Sequence, residues 1–186
     1  MSQQTAPRRI DRQRRERILT GALVVIGEHG VEGLTHRRAA EAAGVPLSAP
    51  SYYFASIEDL LEGAMREAAA RDLAVLRERF AELPCAEELP TLLASHIADA
   101  LRDDPGGSVV ISELYVAALR RESLREVAVA WDETWLDLLT PVVGRPAAIA
   151  TTIAAGGLAH RALLGGEPAD VAELEAVLRV TLGIAS

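Results

Sequence analysis

Residues 35–54 of this 186-residue chain read Thr-His-Arg-Arg-Ala-Ala-Glu-Ala-Ala-Gly-Val-Pro-Leu-Ser-Ala-Pro-Ser-Tyr-Tyr-Phe. Thr35 is a suitable N-cap for a short helix. Gly44 is placed to end that helix, because glycine adopts positive φ without steric cost. Another short helix is predicted to follow, with Pro50 in its first turn, where backbone N–H groups lack helical partners. The stretch therefore predicts a helix, a tight turn and a second helix, which is a helix-turn-helix arrangement.

Small and aromatic residues in this stretch fit the same arrangement. Ala39 and Ala40 supply the small side chains that two crossing helices need. Three of the seven aromatic residues of the chain, Tyr52, Tyr53 and Phe54, lie together at the end of the stretch. Phe54 is expected to anchor the second helix in a core, and tyrosine hydroxyls can donate to phosphate oxygens. The competing interpretation is an ordinary helical hairpin closed by an aromatic plug.

The composition indicates an all-α globular protein. Apolar residues make up 49% of the chain and charged residues 25%, and the length fits one ordinary domain or two small ones. Cys85 is the only cysteine, so no internal disulfide is possible, and the four histidines show no metal-ligand spacing. We expect no metal and no cofactor. The N-terminus has no apolar leader, and the longest apolar run, Ala147–Ala159, is expected to be too short to span a bilayer. A cytoplasmic protein without a membrane partner is predicted.

Charge is distributed unevenly along the chain. Residues 1–56 contain eight arginines and five acidic residues, for a net charge of +3, whereas residues 57–186 carry a net charge of −11. A basic head on an acidic body is typical of a protein that places one end on a polyanion. The alternative is that the arginines between Arg8 and Arg17 merely solvate the start of a helix.

Helical periodicity and breaker residues predict nine helices. Residues 1–8 are expected to be disordered, and the breakers between the later helices include the run Asp104–Gly107. The predicted helices span residues 9–29, 36–43, 47–53, 57–83, 87–103, 108–120, 122–142, 146–164 and 169–184.

The stretch resembles the TetR family of one-component bacterial repressors over about residues 12–62. The resemblance rests on the start Ile18-Leu19 with Ala22, the Gly30…Leu34-Thr35 step, the run Ala39–Val45, the Tyr52-Tyr53-Phe54 end and the following Leu60-Leu61. It implies an all-α, nine-helix architecture with an N-terminal three-helix head. Residues 1–55 would form a DNA-binding helix-turn-helix domain with a disordered N-terminal arm, and residues 56–186 a ligand-binding and dimerisation domain.

The resemblance also implies a function. The chain would be a sequence-specific transcriptional regulator, a repressor that a small-molecule effector releases from a palindromic operator in double-stranded DNA. It would act as a homodimer and would not be an enzyme. The residues implied in DNA contact are Thr35, Arg37, Arg38, Leu47, Ser48, Ala49, Ser51, Tyr52 and Tyr53.

Several positions depart from the pattern of the family. Leu47 and Ser48 stand where Lys and Gly are frequent, Ser51 replaces a common Tyr, and Ile57 replaces a frequent phosphate-binding Lys. Base readout is therefore expected to use apolar contacts with thymine methyl groups and DNA shape. An arm containing Arg8, Arg9 and Arg12 is a further candidate for DNA contact.

The body contains two sets of candidate residues. Polar and aromatic groups among apolar helical positions predict an effector pocket for a polar or cationic organic molecule; they are His96, Glu113, Trp131 and Trp135. The tryptophans could equally belong to a core or an interface. The resemblance implies a dimer interface on the last two helices, and their small and apolar residues permit one, although these helices could also complete a monomer core; the residues are Ile149, Ile153, Gly157, Leu174, Val177 and Leu178.

Two other classes of protein compete with this interpretation. No phosphate-binding glycine loop, nucleophile elbow or metal-ligand pair supports an enzyme. A helical ligand-binding or adaptor protein whose helix-turn-helix no longer reads DNA remains an alternative, because the predicted recognition helix offers few hydrogen-bonding side chains.

Overall fold

A computed structural model of the chain describes residues 6–166 and 169–184, with side chains from Arg12 onward. This part of the chain contains nine α-helices and no strand, which confirms the predicted all-α class and the helix count. Two 3₁₀ turns, Val31–Gly33 and Ala86–Glu88, interrupt the series. The helices are α1 (Ala6–His29), α2 (His36–Ala43), α3 (Ala49–Tyr53), α4 (Ile57–Ala81), α5 (Leu89–Asp103), α6 (Pro105–Ala118), α7 (Glu122–Val143), α8 (Arg145–Gly165) and α9 (Val171–Leu182).

Six helix starts differ from the sequence prediction. α5 and α9 begin two residues later than predicted, at Leu89 and Val171, and α8 begins one residue earlier, at Arg145. The other three are α1, α3 and α6. α1 begins at Ala6, so residues 6–8 are helical where disorder was expected; the rest of that prediction, residues 1–5, lies outside the described residues. α3 begins two residues late, at Ala49, because Pro46 to Ser48 form a turn in which the Ala49 N–H donates to the Pro46 carbonyl at 2.8 Å.

The run Asp104–Gly107 was predicted to separate two helices, and α5 does end at Asp103; the break is shorter than predicted, however, because α6 already begins at Pro105. The Asp104 carboxylate accepts a hydrogen bond from the Gly107 N–H at 2.8 Å, and Pro105 occupies the first helical position. Proline is well suited to that position because its missing N–H would have no helical partner. The interpretation as a breaker overlooked this N-terminal role.

The described residues form two compact units. The first contains the chain up to Ala68 together with Glu113–Val127, and the second contains Ala69–Ser112 and the residues from Ala128 onward. α4, α6 and α7 each contribute residues to both units. The predicted head, residues 1–55, is one part of the first unit, and the domain boundary placed after it remains a prediction.

A close crossing of α1 and α2 organises the first unit. A Cβ atom at Gly21 would lie 2.7 Å from both the Ala39 carbonyl oxygen and the Ala43 nitrogen, so only glycine fits there. Ala39 and Ala40 are fully buried, as the prediction of small crossing residues requires. α2 then ends at Gly44, whose φ of 59° lies in the left-handed region, as predicted.

Arg17 reinforces this helix end. Its guanidinium donates to the carbonyl oxygens of Ala43 and Gly44, each at 2.8 Å, and so satisfies acceptors that have no partner within α2. Phe54, predicted to anchor the following helix, is buried with Ile18, Leu19 and Leu60. Arg17 therefore holds the end of α2, before the turn, and the buried Phe54 anchors the end of α3, after the turn.

The second unit has its own core, and α9 lies against α5 and α8 within it. Leu174, Leu178 and Leu182 recur every four residues on α9 and are buried. α9 begins at Val171 because the Asp170 side chain caps it, accepting from the backbone N–H of Ala172 at 2.9 Å.

α8 is more exposed than a core helix of its composition. It has 21 residues, and its most apolar window has a mean hydropathy of 1.3 with only 17% of residues buried. Among the described helices it alone has the length and composition to cross a membrane, in contrast to the expectation drawn from the shorter run Ala147–Ala159. Length and composition of one helix are weak grounds for a membrane span.

Candidate DNA interface and effector cluster

The predicted DNA-contacting residues of α3 and the preceding turn lie mostly at the surface of the first unit. Leu47, Ser48 and Ser51 are exposed, and Tyr52 retains 80% of its accessible surface. Ala49 and Tyr53 are half-buried. The ring of Tyr53 packs edge-on against that of Tyr52, with centroids 5.1 Å apart. A short helix thus presents apolar, hydroxyl and phenolic groups together.

The beginning of α2 brings the other three predicted residues to the surface. The Thr35 hydroxyl accepts a hydrogen bond from the Arg38 N–H at 3.1 Å, which confirms its predicted role as N-cap. Arg37 pairs with Glu41, and Arg38 donates to the Gly33 carbonyl at 2.8 Å. Both guanidinium groups remain exposed, so their positive charges are held at defined positions on the surface.

His36 links α2 to α3, and sequence reasoning missed it. Its Nδ1 lies 3.2 Å from the Ser51 hydroxyl, and its Nε2 lies 3.3 Å from the Ser56 carbonyl oxygen. The imidazole therefore ties the start of α2 to the exposed α3 and to the residues before α4. A pairing between residues 15 positions apart leaves no periodic signal in the sequence.

An ion-pair cluster joins three further segments of the first unit. Arg121, between α6 and α7, donates to Glu32 at 2.7 Å and also pairs with Glu58 at the start of α4. The Ser123 hydroxyl lies 3.4 Å from the second Glu58 oxygen. The hydrogen bond to Glu32 is the main cause of a raised pKa for Arg121. The cluster fastens the α6–α7 connection to Glu32 in the 3₁₀ turn that precedes α2.

Asp72 is the centre of a cluster in the second unit, which we call the Asp72 cluster: Asp72, His96, Trp131 and Trp135. One carboxylate oxygen lies 3.2 Å from His96 Nε2, and the other accepts from the indole N–H groups of Trp131 and Trp135 at 3.0 and 3.2 Å. The imidazole and the Trp135 ring lie with centroids 5.7 Å apart. Three donors from two other helices thus converge on one carboxylate of α4.

The Asp72 cluster contains three of the four residues predicted to line an effector pocket. His96 and Asp72 keep only 7% and 16% of their side-chain surface, and His96 Nδ1 is buried without a hydrogen-bond partner. Glu113, the fourth, is exposed and belongs to the first unit. Sequence reasoning missed Asp72, whose only signal is a lone acidic residue in a largely apolar stretch of α4.

The predicted dimer residues divide into two groups. Ile149, Ile153, Gly157 and Val177 are exposed, and Ile153 keeps 71% of its surface. Leu174 and Leu178 require a correction, because α9 turns both side chains into the core of its own chain, where they are 4% and 0% exposed. They offer no surface to a second copy. Two further apolar residues on these helices, Leu164 and Val180, are largely exposed.

A family model matches the N-terminal part of the chain. The family model described as "Bacterial regulatory proteins, tetR family" matches residues 18–64. No curated protein sequence shows significant similarity to the chain.

Solved structures match over nearly the full length. A member of the TetR family from Streptomyces coelicolor A3 is 34% identical, with a TM-score of 0.81 over 91% of this chain and 98% of that one. The multidrug binding protein EbrR complexed with imidazole is also 34% identical, with a TM-score of 0.80 over 93% and 97%. EbrR complexed with ethidium gives 34% identity and a TM-score of 0.77 over 90% and 98%. With this identity over this coverage, the chain belongs to the TetR family of transcriptional regulators.

Proposed function

We propose that the chain is a sequence-specific repressor that binds an inverted-repeat operator as a homodimer in the cytoplasm and is released by a small-molecule effector. The observation that carries the proposal is the exposed face of α3, where Tyr52 is 80% exposed, in a chain of this family. A short helix of this kind fits a major groove about 12 Å wide. Arg37 and Arg38 add positive charge beside it.

Roles within the DNA contact follow from side-chain chemistry. Leu47 and Ala49 suit thymine methyl groups, whereas the hydroxyls of Ser48 and Ser51 suit base edges. Tyr52, Tyr53 and the two arginines suit phosphate oxygens, which fix the register but carry no sequence information. Arg12 is exposed on α1, which supports an additional contact between the N-terminal arm and the phosphate backbone of DNA.

The proposed dimer uses the exposed apolar surface of α8 and α9. Ile149 and Ile153 lie one turn apart on α8, and a Cβ at Gly157 would meet no atom within 4 Å, so a second helix has room to approach. Val177 and Val180 extend this surface on α9. Burying such surface against a second copy gains about 25 cal/mol per Å². Dimerisation also explains why so apolar a helix is so exposed.

The proposed effector site is the Asp72 cluster. Two indole rings and a carboxylate suit an aromatic or cationic organic molecule, and EbrR, a relative at 34% identity, was solved in complex with ethidium and with malachite green. An effector lowers DNA affinity if it favours a conformation in which the spacing of the two heads does not match the half-sites of the operator. By thermodynamic linkage, DNA must weaken effector binding by the same factor, about 5–150-fold.

Tryptophan fluorescence tests the effector step directly, because Trp131 and Trp135 are the only tryptophans in the chain. Malachite green is titrated into the protein alone and into its complex with a dye-labelled operator duplex. We expect saturable quenching, release of the duplex, and weaker quenching when DNA is in excess.

Two variants separate the effector site from the DNA site. Trp135→Phe is expected to weaken quenching by malachite green, whereas Arg38→Ala should bind malachite green like the wild type while losing DNA affinity. Saturable quenching that leaves the DNA complex intact would contradict the release mechanism. If Trp135→Phe binds malachite green with unchanged affinity, the effector site does not lie at the Asp72 cluster.

A further inference from the structure

The hydrogen bonds of His36 have a defined direction. The Ser56 carbonyl oxygen can only accept, so the proton in the 3.3 Å contact must reside on Nε2 of His36. A neutral imidazole with its proton on Nε2 has an unprotonated Nδ1, which can only accept. The 3.2 Å contact between Nδ1 and Ser51 Oγ is therefore a hydrogen bond that the Ser51 hydroxyl donates.

This direction changes what Ser51 can offer to a ligand. A serine hydroxyl has one hydrogen to donate and two lone pairs that accept. His36 takes the hydrogen, so only the lone pairs of Ser51 remain for another partner. Ser51 is exposed on α3, between the half-buried Ala49 and the exposed Tyr52, where a base edge would be read.

We propose that His36 is a specificity-determining residue that makes Ser51 a hydrogen-bond acceptor at the DNA interface. This inference rests on the proposed function, in which α3 enters the major groove. In that groove the exocyclic amino groups of adenine N6 and cytosine N4 are donors, whereas guanine O6 and N7 and thymine O4 only accept. Ser51 therefore favours an amino base, adenine or cytosine, over guanine or thymine at the base that it contacts.

Parallel selections of bound sequences from a random duplex pool test the proposal with four proteins: wild type, Ser51→Ala, His36→Leu and the double variant. For the wild type we expect one position per half-site with an amino-base preference of about three- to ten-fold, the range of a single hydrogen bond. Ser51→Ala should lose the preference at that position alone. His36→Leu should lose it too, because the freed hydroxyl then donates or accepts.

The double variant distinguishes positioning from mere packing. If His36 acts through Ser51, adding His36→Leu to Ser51→Ala leaves the preference at that position unchanged. Enrichment by the wild type together with an unaltered base preference in His36→Leu would overturn the inference while leaving the proposed function standing. Absence of enrichment by the wild type itself would overturn both.

A measurement on the DNA-free protein keeps the test independent of the folding of His36→Leu. Two-bond ¹H–¹⁵N correlations identify the tautomer of each of the four histidines, and the exposed Ser51→Ala substitution identifies His36 as the ring whose Nδ1 signal moves. We expect the Nε2–H tautomer for His36. An Nδ1–H tautomer, or an Nδ1 signal that Ser51→Ala leaves in place, would refute the assigned polarity.

Discussion

Arg121 Nη2 lies 2.7 Å from Glu32 Oε1, and the same guanidinium pairs with Glu58. These residues come from the α6–α7 connection, the turn before α2 and the start of α4. α6 and α7 also supply residues to the second unit. The ion pair therefore involves the segment Glu113–Val127, which belongs to the first unit although the chain before and after it belongs to the second. Arg121 is covalently continuous with α6 and α7, and its ion pair connects it to the turn that carries Glu32.

Arg121→Gln is expected to lower the free energy of unfolding by about 1 kcal/mol, because a partly exposed ion pair is lost. It should also reduce the factor by which an effector weakens DNA binding, since the α6–α7 connection is no longer fastened to Glu32. Urea denaturation and effector-dependent DNA titrations measure the two effects. The exposed neighbour Arg120→Gln makes the same charge change and serves as the control. If the effector weakens DNA binding by the same factor in both variants, Arg121 does not take part in the coupling between effector and DNA.

Asp72→Asn is expected to destabilise the Asp72 cluster. The amide has nearly the shape of the carboxylate but only one accepting oxygen. Either the two indole N–H groups or the His96 Nε2–H group must therefore face the donating NH₂ group and lose its acceptor. The cost should be about 1–3 kcal/mol in the free energy of unfolding. Tryptophan emission of the folded protein should shift as well. Asp137→Asn, an exposed substitution on α7, is the control, and equal stability of the two variants would show that Asp72 is dispensable.

Arg38→Ala is expected to weaken binding to all DNA sequences equally, because a phosphate contact carries no base information. The slope of log affinity against log salt should fall in magnitude by about 0.9, the contribution of one neutralised phosphate. Binding isotherms at several salt concentrations measure the slope. Arg66→Ala, which removes an arginine paired with Glu62 on α4, controls for net charge. A slope unchanged by Arg38→Ala would exclude Arg38 from the interface.

Ile153→Glu is expected to convert the proposed dimer into a monomer, since it would bury an unpaired charge between two copies. Ile153 is 71% exposed in the single chain, so the fold of the chain should tolerate the change. Sedimentation equilibrium should give twice the chain mass of 19.8 kDa for the wild type and the chain mass for the variant. Val75→Glu, another exposed apolar position, should stay dimeric. A wild-type protein that sediments as a monomer would contradict the proposed interface.

Local features of the sequence predicted much of the head. Thr35 and Gly44 act within one turn of the residues they stabilise, so their types and spacing were sufficient to place α2. Phe54 was identifiable because aromatic residues are rare in this chain. The break after Asp103 was predicted correctly, but its length was overestimated, because proline and glycine occur both at a helix N-terminus and in a loop.

Contacts between distant residues were not predictable in the same way. Asp72 meets His96, Trp131 and Trp135 across 24, 59 and 63 positions, and no periodicity links such residues. The requirement for glycine at position 21 was not visible in the sequence. It follows only from the structure, where a Cβ atom at Gly21 would lie 2.7 Å from backbone atoms of α2. Leu174 and Leu178 are buried because they lie on the side of α9 that packs against α5 and α8. An amphipathic pattern alone does not indicate whether the apolar side of a helix packs against its own chain or against another.

The most direct test of the account is selection of bound sequences from a random duplex pool by the wild-type protein at near-physiological salt. We predict enrichment of an inverted repeat whose half-sites lie about one helical turn apart or a multiple of it, as two heads of one dimer require. Absence of any enriched sequence from a folded, dimeric protein would contradict the account. It would instead favour a helical ligand-binding protein whose head does not read DNA.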